Sequence, residues 1–474
     1  MKIICFISIL LIHLHPLFSF AGNYQTKANR SDEKKYVVVT KISIEGNKIT
    51  KDHIIFRELL FNIGDTILVD ELNNKINSSE DNLKNTSLFN EVKVEAKNLT
   101  SEKITIHVKL AERWYTWPIP IFNLADRNFN DWWVNQNRDL SRVDYGLFFL
   151  RYNFRGRDEK LKAHIQLGYT ERFAMTYEIP YVNKKQTSGM AFFSSFSRGR
   201  ELPYRTFNNK LEYYKEPDNY ILKEFYTGIK YMYRKEIHNK HRVELIYHNN
   251  SISSSIASLN PDYFLNGALD QKYVSINYEY IRDHRQLKAY PLKGNYFEVE
   301  FEKTGLGLFN DVDLWSFSAN YRHYIQIFDR LYGAAGIWSK YIGFNQPNYY
   351  DTDALGYNKY LRGYEYYVID GQFFVLTKVS LKYEILKQQK RTFRNMPLPQ
   401  FQTIPLAIFA GIHLDNGYVL DNYYFVDNNL NNSHLLGTGI GIDFVSFYDK
   451  ILRVEYSFNK LGESDLFLHF SIPI

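Results

Sequence analysis

From Asp144 to the last residue, apolar and polar positions alternate with a period of two. In Lys272–Asp283, Val274, Ile276, Tyr278 and Tyr280 share one face, and Ser275, Asn277 and Glu279 share the other. Phe297, Val299 and Phe301 alternate with Glu298, Glu300 and Glu302; Leu452, Val454, Tyr456 and Phe458 alternate with Arg453, Glu455 and Ser457. This period predicts strands with one apolar and one charged face. A water-soluble sandwich would bury the apolar face as a core. A membrane barrel turns it to lipid and lines its lumen with the charged face. The segments run roughly 10 to 15 residues, as tilted spanning strands do, against about 5 to 6 for ordinary strands. The fold class predicted is mainly β: an antiparallel transmembrane β-barrel of roughly sixteen strands.

The predicted strands begin near Asp144, Glu159, Phe173, Thr187, Arg205, Asp218, Lys240, Gln271, Lys293, Val312, Leu331, Gln372, Ile404, Leu435, Lys450 and Ser464. An even count returns the chain to the side on which it started. Segments Ser254–Asp270, Ile342–Gly371 and Tyr418–His434 read as long outer loops. Phe328-Asp329-Arg330 and Phe447-Tyr448-Asp449 read as tight inner turns. Lys387–Gln402 falls on the inner side, yet it is long and basic; it could meet a partner or lipid phosphate, or be a solvated turn.

The chain ahead of the barrel reads differently. Tyr36–Glu45 is an apolar strand closed by Gly46-Asn47. Thr50 is a candidate cap for a helix through Leu60 that turns Ile54, Ile55 and Leu59 inward. Asp70 is a candidate cap for a second helix carrying Leu72, Ile76 and Leu83 on one face. Strands Glu91–Lys97 and Lys103–Ala111 follow. Residues 36–112 thus form one small β-α-α-β-β module, and this order, with Leu88-Phe89-Asn90-Glu91-Val92 entering the second strand, resembles a POTRA domain. Residues 113–143 read as an aromatic junction with Trp114, Trp117, Trp132 and Trp133, stiffened by Pro118 and Pro120. Trp favours a membrane–water boundary, so the junction could seat the module under the barrel; it could equally pack on the module itself.

Composition narrows the function classes. The chain has 474 residues with 39 Tyr and 35 Phe, and a mean hydropathy of −0.39. That value resembles a soluble protein, but barrels escape such a test because lumen residues are polar. A net charge of +6 gives little reason to expect a nucleic-acid partner. Residues 1–21 read as a signal peptide: Lys2, the apolar run Ile3–Ile12, and the small-x-small site Ser19-Phe20-Ala21. Residues 22–35 read as a flexible leader. Cys5 is the only cysteine, so no disulfide is expected despite export.

Two sequence features in the barrel carry candidate function. Arg362-Gly363-Tyr364 lies in the long loop before the twelfth predicted strand. Asp415 lies on the thirteenth, and alternation with His413 and Gly417 puts it on the lumen face, opposite Ile412 and Leu414. A guanidinium folded into the lumen needs a carboxylate, because an unpaired buried charge is costly. Gly363 would let the loop backbone pass close to the wall. The chain thereby resembles the BamA/TamA superfamily of outer-membrane assembly factors, the bacterial surface antigen family. The resemblance implies that the Arg362-Gly363-Tyr364 tip folds inward and docks on the strand carrying Asp415 and Gly417. Arg282-Asp283 followed by Tyr290-Pro291-Leu292-Lys293-Gly294 is a third match. The family's acidic residue on the twelfth strand maps near Lys382 and Glu384, making Glu384 a second candidate partner for Arg362. His413 stands where the family has an aromatic, and Pro473-Ile474 ends the chain where an aromatic is usual.

The resemblance implies insertion or translocation of client proteins at the bacterial outer membrane, with the POTRA-like module in the periplasm. Client outer-membrane or secreted proteins, outer-membrane lipid and periplasmic accessory proteins are the implied partners; no cofactor is implied. A lateral seam between first and last strands would open, weakened by Gly146 and Pro473. The alternative is a dedicated exporter or pore passing one substrate through the lumen. An enzyme is not expected. His238 and His241 lack carboxylate companions for a metal, no Gly-x-Ser-x-Gly elbow occurs, and Gly437-Thr438-Gly439-Ile440-Gly441 lacks the lysine of a phosphate loop.

Overall fold

The computed structural model describes residues 35–97, 102–124, 138, 140–309, 312–344, 348–393 and 395–471. The expected signal peptide, residues 22–34 of the leader, Trp132, Trp133 and Pro473 lie outside the described residues.

The N-terminal module runs β1 (Tyr36–Glu45), α1 (Asp52–Phe56), β2 (Thr66–Leu68), α2 (Val69–Asn85), β3 (Phe89–Lys97) and β4 (Lys103–Glu112). Its sheet order is β2-β1-β4-β3, with β1 parallel to β4. Alternate residues Val37 and Val39, Val92 and Val94, and Ile104, Ile106 and Val108 bury one sheet face under Ile54, Ile55, Leu72 and Leu83 of the helices. Neither expected cap forms. α1 starts after Lys51 and α2 after Leu68, without a side-chain cap bond at either. Thr50 is drawn elsewhere: its hydroxyl donates to Glu112 Oε1 at 2.6 Å and accepts from Asn153 Nδ2 at 2.8 Å.

Among the described residues, sixteen of the remaining strands form one antiparallel sheet. It comprises β5 (Thr116–Leu124), β6 (Val143–Phe154), β7 (Glu159–Gly168), β8 (Thr170–Ile179) and β9 (Ser188–Gly199). A separate hairpin of β10 (Glu201–Phe207) and β11 (Lys210–Lys215) interrupts it. The sheet resumes with β12 (Leu222–Tyr233), β13 (Asn239–Ile252), α3 (Ser254–Leu259) in a loop, β14 (Asp270–Asp283), β15 (Gly294–Thr304), β16 (Leu314–Phe328) and β17 (Leu331–Phe344). A short pair, β18 (Asp353–Leu355) and β19 (Ile369–Asp370), precedes β20 (Phe373–Thr392), β21 (Thr403–Leu420), β22 (His434–Val445), β23 (Ile451–Asn459) and β24 (Ser464–Ser471). Along β21, Ile412 and Leu414 face outward and exposed, while His413 and Asp415 are buried on the inner side.

The count of sixteen is reached by a different route from the sequence. The strand expected near Arg205 is not in the wall, and the wall's first strand is β5, inside the segment read as a junction. Pro118 and Pro120 hide it: proline is normally a mark against a strand, but an edge strand tolerates it. The long basic segment Lys387–Gln402 begins as strand, because β20 and β21 stay paired out to Thr392↔Thr403, and only its remainder forms the turn.

The far end, away from the module, is closed by loops. Leu202, Ile221, Ile256, Tyr263, Phe264 and Tyr349 form a buried cluster there. Asn209 Nδ2 donates to Asn431 Oδ1 at 2.8 Å, and Asn431 Nδ2 to Asp421 Oδ2 at 2.7 Å. Beside them Asp370 is buried and accepts from the Tyr357 hydroxyl at 2.6 Å. Burial, reinforced by neighbouring Asp421, pushes the Asp370 carboxyl up to about 6. An unfolded aspartate sits near 4. The folded cap therefore holds this proton more tightly, and its contribution to stability is complete below about pH 4 and lost as pH rises through about 6. Limited proteolysis of the far-end loops is expected to speed up between pH 4 and pH 8. Asp370→Asn should flatten that dependence; an unchanged pH profile in the variant would refute the assignment.

Candidate functional site

The loop between β17 and β20 turns back into the barrel, pinned at its base by the β18–β19 pair. Its tip is buried: Leu361, Arg362 and Tyr364 are each less than a tenth exposed. Arg362 Nη1 donates to Asp415 Oδ1 at 2.6 Å, its backbone N–H to Asp415 Oδ2 at 3.2 Å, and its Nε to Glu455 Oε1 at 2.8 Å. Asp415 and Glu455 are 0% and 1% exposed, so one guanidinium serves two fully buried carboxylates. Lys378 Nζ reaches the other oxygen of Asp415 at 3.0 Å. Such charge-assisted bonds are strong when desolvated, and each partner is costly to leave alone.

Glycines allow the close approach. Gly363 has φ +75°, and a Cβ there would lie 2.8 Å from the Phe458 carbonyl. At Gly437 a Cβ would lie 2.0 Å from Arg362 O, and at Gly417 it would lie 2.4 Å from Leu361 Cδ1. Asn459 Nδ2 donates to Gly363 O at 2.7 Å, and Lys460 N donates to the Tyr364 hydroxyl at 3.3 Å. The loop reaches the last strand as well: the Tyr366 hydroxyl donates to Asp465 at 3.0 Å, and Glu365 meets His469 at 3.3 Å. The tip thus ties β21, β22, β23 and β24 into one panel.

The opposite end of the barrel is spanned by the module, which touches turns 155–158, 180–187, 234–238, 284–293, 395–402 and 446–450. Lys51 N donates to Gly156 O at 2.9 Å, Asn85 Nδ2 to Gln286 O at 2.9 Å, and Asn90 Nδ2 to Gln400 O at 2.9 Å. Lys390 pairs with Glu91 at 2.6 Å and Arg113 with Asp449 at 2.6 Å. Trp117 packs edge-on against both Phe401 and Tyr448, at 5.9 and 5.1 Å. The central contact is buried. Glu58 accepts from Arg234 Nη1 and Nη2 at 2.7 and 2.9 Å, while Arg57 donates to the carbonyls of Gln186 and Arg234. Burial alone would raise the Glu58 carboxyl, but Arg234, Arg57 and Lys288 more than offset it and hold it below the usual range.

The ends of the sheet are β5 and β24, and among the described residues no ladder joins them. Pro118 and Pro120 lie on β5 opposite Phe149 and Leu147 of β6. Residues two apart aim their N–H groups at the same neighbour. The β5–β6 ladder is continuous, so the two missing donors belong to the free edge.

A model of the Omp85 superfamily domain matches residues 153–391, half of the chain. The chain belongs to the Omp85 superfamily. A second model, the surface antigen variable number repeat of the POTRA class, matches residues 37–113 of this Omp85 chain. Among solved structures, BamA from Haemophilus ducreyi lacking POTRA domains 1-3 is similar with a TM-score of 0.50 and 13% identity, covering 92% of this chain and 84% of that one. CdiB from Escherichia coli is similar with a TM-score of 0.51 and 12% identity, covering 92% and 75%. At such identities the likeness is one of fold. No curated protein matches the chain.

Within this Omp85 chain the expected tip residues Arg362, Gly363 and Tyr364 come together with Asp415 and Gly417. Glu384 does not join them. It lies opposite Phe409, six residues along β20 from Lys378, which faces Asp415; that is about 20 Å of strand. Glu455 takes the second place instead. The alternation that put Asp415 on the inner face also put Glu455 there, but no local motif marked it. Gly146 sits on the second strand, opposite Ile121, not on the seam. A Cβ there would strike Ile165 O at 2.0 Å, so its role is close packing of β6 on β7. Pro118 and Pro120, first read only as stiffeners of a junction, occupy the seam edge. Tyr290 of the third matching segment is buried and donates to Asp443 Oδ2 at 2.7 Å, joining turn 284–293 to β22.

Proposed function

We propose that this Omp85 chain is an outer-membrane insertase, whose barrel opens between β5 and β24 to pass strands of client proteins sideways into the membrane. The observation that carries the reading is the free edge of β5, which lacks two donors at Pro118 and Pro120 and has no ladder to β24 among the described residues. An edge with few donors pairs weakly and is easily parted. The route through the lumen is obstructed by comparison. The module spans one end, the loop cluster around Tyr263 and Tyr349 closes the other, and the Arg362 loop fills space between. The module end faces the periplasm in this reading, where clients arrive unfolded.

A disulfide between cysteines placed on residues 116–124 and 464–471 tests the route. Crosslinked protein is expected to lose client assembly and to regain it on reduction. Full activity while crosslinked would favour a dedicated exporter that uses the lumen. Outer-membrane proteomics after depletion defines the client range. Broad loss of barrel proteins fits a general insertase, and loss of one or a few surface proteins fits a specialised one.

A further inference from the structure

The described part of the loop after β15, residues 305–309, lies against neighbouring wall strands. Gly305 N donates to Val274 O of β14 at 3.0 Å, and the Phe309 ring lies 5.8 Å from Tyr247 on β13, two strands away from β15. The register runs Thr304↔Ser275 and Val274↔Tyr247, so the loop leaves β15 at the height of Tyr247 and leans sideways along the outer wall. Its turn is built for this. Gly305 has φ +78°, with room for a Cβ denied by Val312 O at 1.7 Å, and Gly307 has φ +75°. Val312 is tucked inward against Tyr273, Leu314 and Ile342. Leu306, Leu308 and Phe309 point the other way and are exposed, Leu308 by 67%.

The chemistry of the tip is at odds with water. Gly305-Leu306-Gly307-Leu308-Phe309 has no charged or hydrogen-bonding side chain, the polar residues of the loop, Asn310, Asp311 and Asp313, all following it, whereas loop tips in water are normally built from polar turn residues throughout. Its surroundings mark a boundary. On the same outward face, Tyr247 and Val274 are followed toward the far end by Asn249 and Lys272, then Ser251 and Asp270. At the root of the loop, Phe301, Trp315 and Tyr341 form an exposed outward row, with ring centroids 6.4 and 5.4 Å apart. Lys303 and Asp313 pair beside them at 2.5 Å. Aromatic rows of this kind sit where acyl chains meet head groups.

We infer that Leu306, Leu308 and Phe309 form a wedge that inserts into the lipid of the outer leaflet, extending the aromatic girdle sideways on the wall opposite the β5–β24 seam. The occupant is the acyl-chain region just under the head groups, because the patch is continuous with the lipid-facing wall. The inference rests on that wall facing lipid and is independent of how clients move.

The test uses the full chain with Cys5→Ser in phosphatidylcholine vesicles, carrying one cysteine labelled with an environment-sensitive fluorophore. Leu308→Cys and, as a second variant, Leu306→Cys are compared with Val426→Cys in the 421–433 loop and Ile276→Cys on the wall. Emission from positions 306 and 308 is expected to shift to the blue relative to 426. It should be quenched several-fold more by phospholipid spin-labelled near the head group, and less by aqueous iodide. Iodide quenching at 306 and 308 equal to that at 426, with 276 protected, would overturn the wedge alone. Iodide access at 276 as well would overturn the lipid-facing wall and the wedge with it.

Discussion

Arg362→Ala is expected to lower the temperature at which the folded barrel converts to the unfolded form on a gel, and to be the most damaging single change in the lumen. The substitution strands Asp415 and Glu455, both fully buried, without the guanidinium they share. Breaking a buried ion pair by removing one partner costs about 3–5 kcal/mol. Lys378 remains 3.0 Å from Asp415, so the loss should fall toward the lower end of that range. Two companion changes separate the partners. Glu455→Gln should reproduce much of the defect, while Glu384→Gln, about 20 Å along the wall from the lock, should migrate as the unaltered protein does. A defect in the Glu384 variant equal to that in Glu455 would reverse the assignment.

Glu58→Gln is expected to release the module from the barrel mouth. The change leaves Arg234 buried against a neutral amide and replaces one of the two oxygens that accept at 2.7 and 2.9 Å by an NH2 group that cannot accept. The scale is again about 3–5 kcal/mol, enough for more than tenfold in the docked-to-undocked ratio. Hydrogen exchange should rise in residues 180–187 and 234–238 and at Lys51, while the module's own β1 and β4 stay protected. The pH dependence has a fixed sign. The docked Glu58 has a lowered pKa, so its contribution is present above the ordinary glutamate range and is lost as pH falls through the depressed value. Docking that tightens on acidification would count against the ion pair as the latch.

The wall was legible because one physical rule governs every strand: a face against lipid and a face against the lumen force a period of two. The rule says nothing of edges. β5 escapes the rule because Pro118 and Pro120 are permitted only where no second neighbour needs their donors, and β10 passes for a wall strand because an isolated hairpin alternates as a wall strand does. These two errors cancel in the count and not in the topology. Within the site, Arg362, Gly363 and Asp415 could be singled out because each lies in a compact local pattern. Glu455 could not, since its meaning depends on the stagger of β23 against β21, set by the β22 register between them. Thr50 shows the same limit in the module. It has the chemistry of a cap, but a partner in the barrel, Asn153, competes for it.

Arg362 precedes Asp415 by 53 residues and Glu455 by 93. Contacts so distant carry a loop-closure cost that is smallest once the wall between them has formed. The loop tip can therefore reach its first carboxylate once β21 has joined, but its second must wait for β23. The lock is an end-of-assembly event, and its closure reports that the wall has been built almost to its final strand. A chain interrupted between Asp415 and Glu455 would hold an arginine in half a site, distinguishable from the finished product by that vacancy alone.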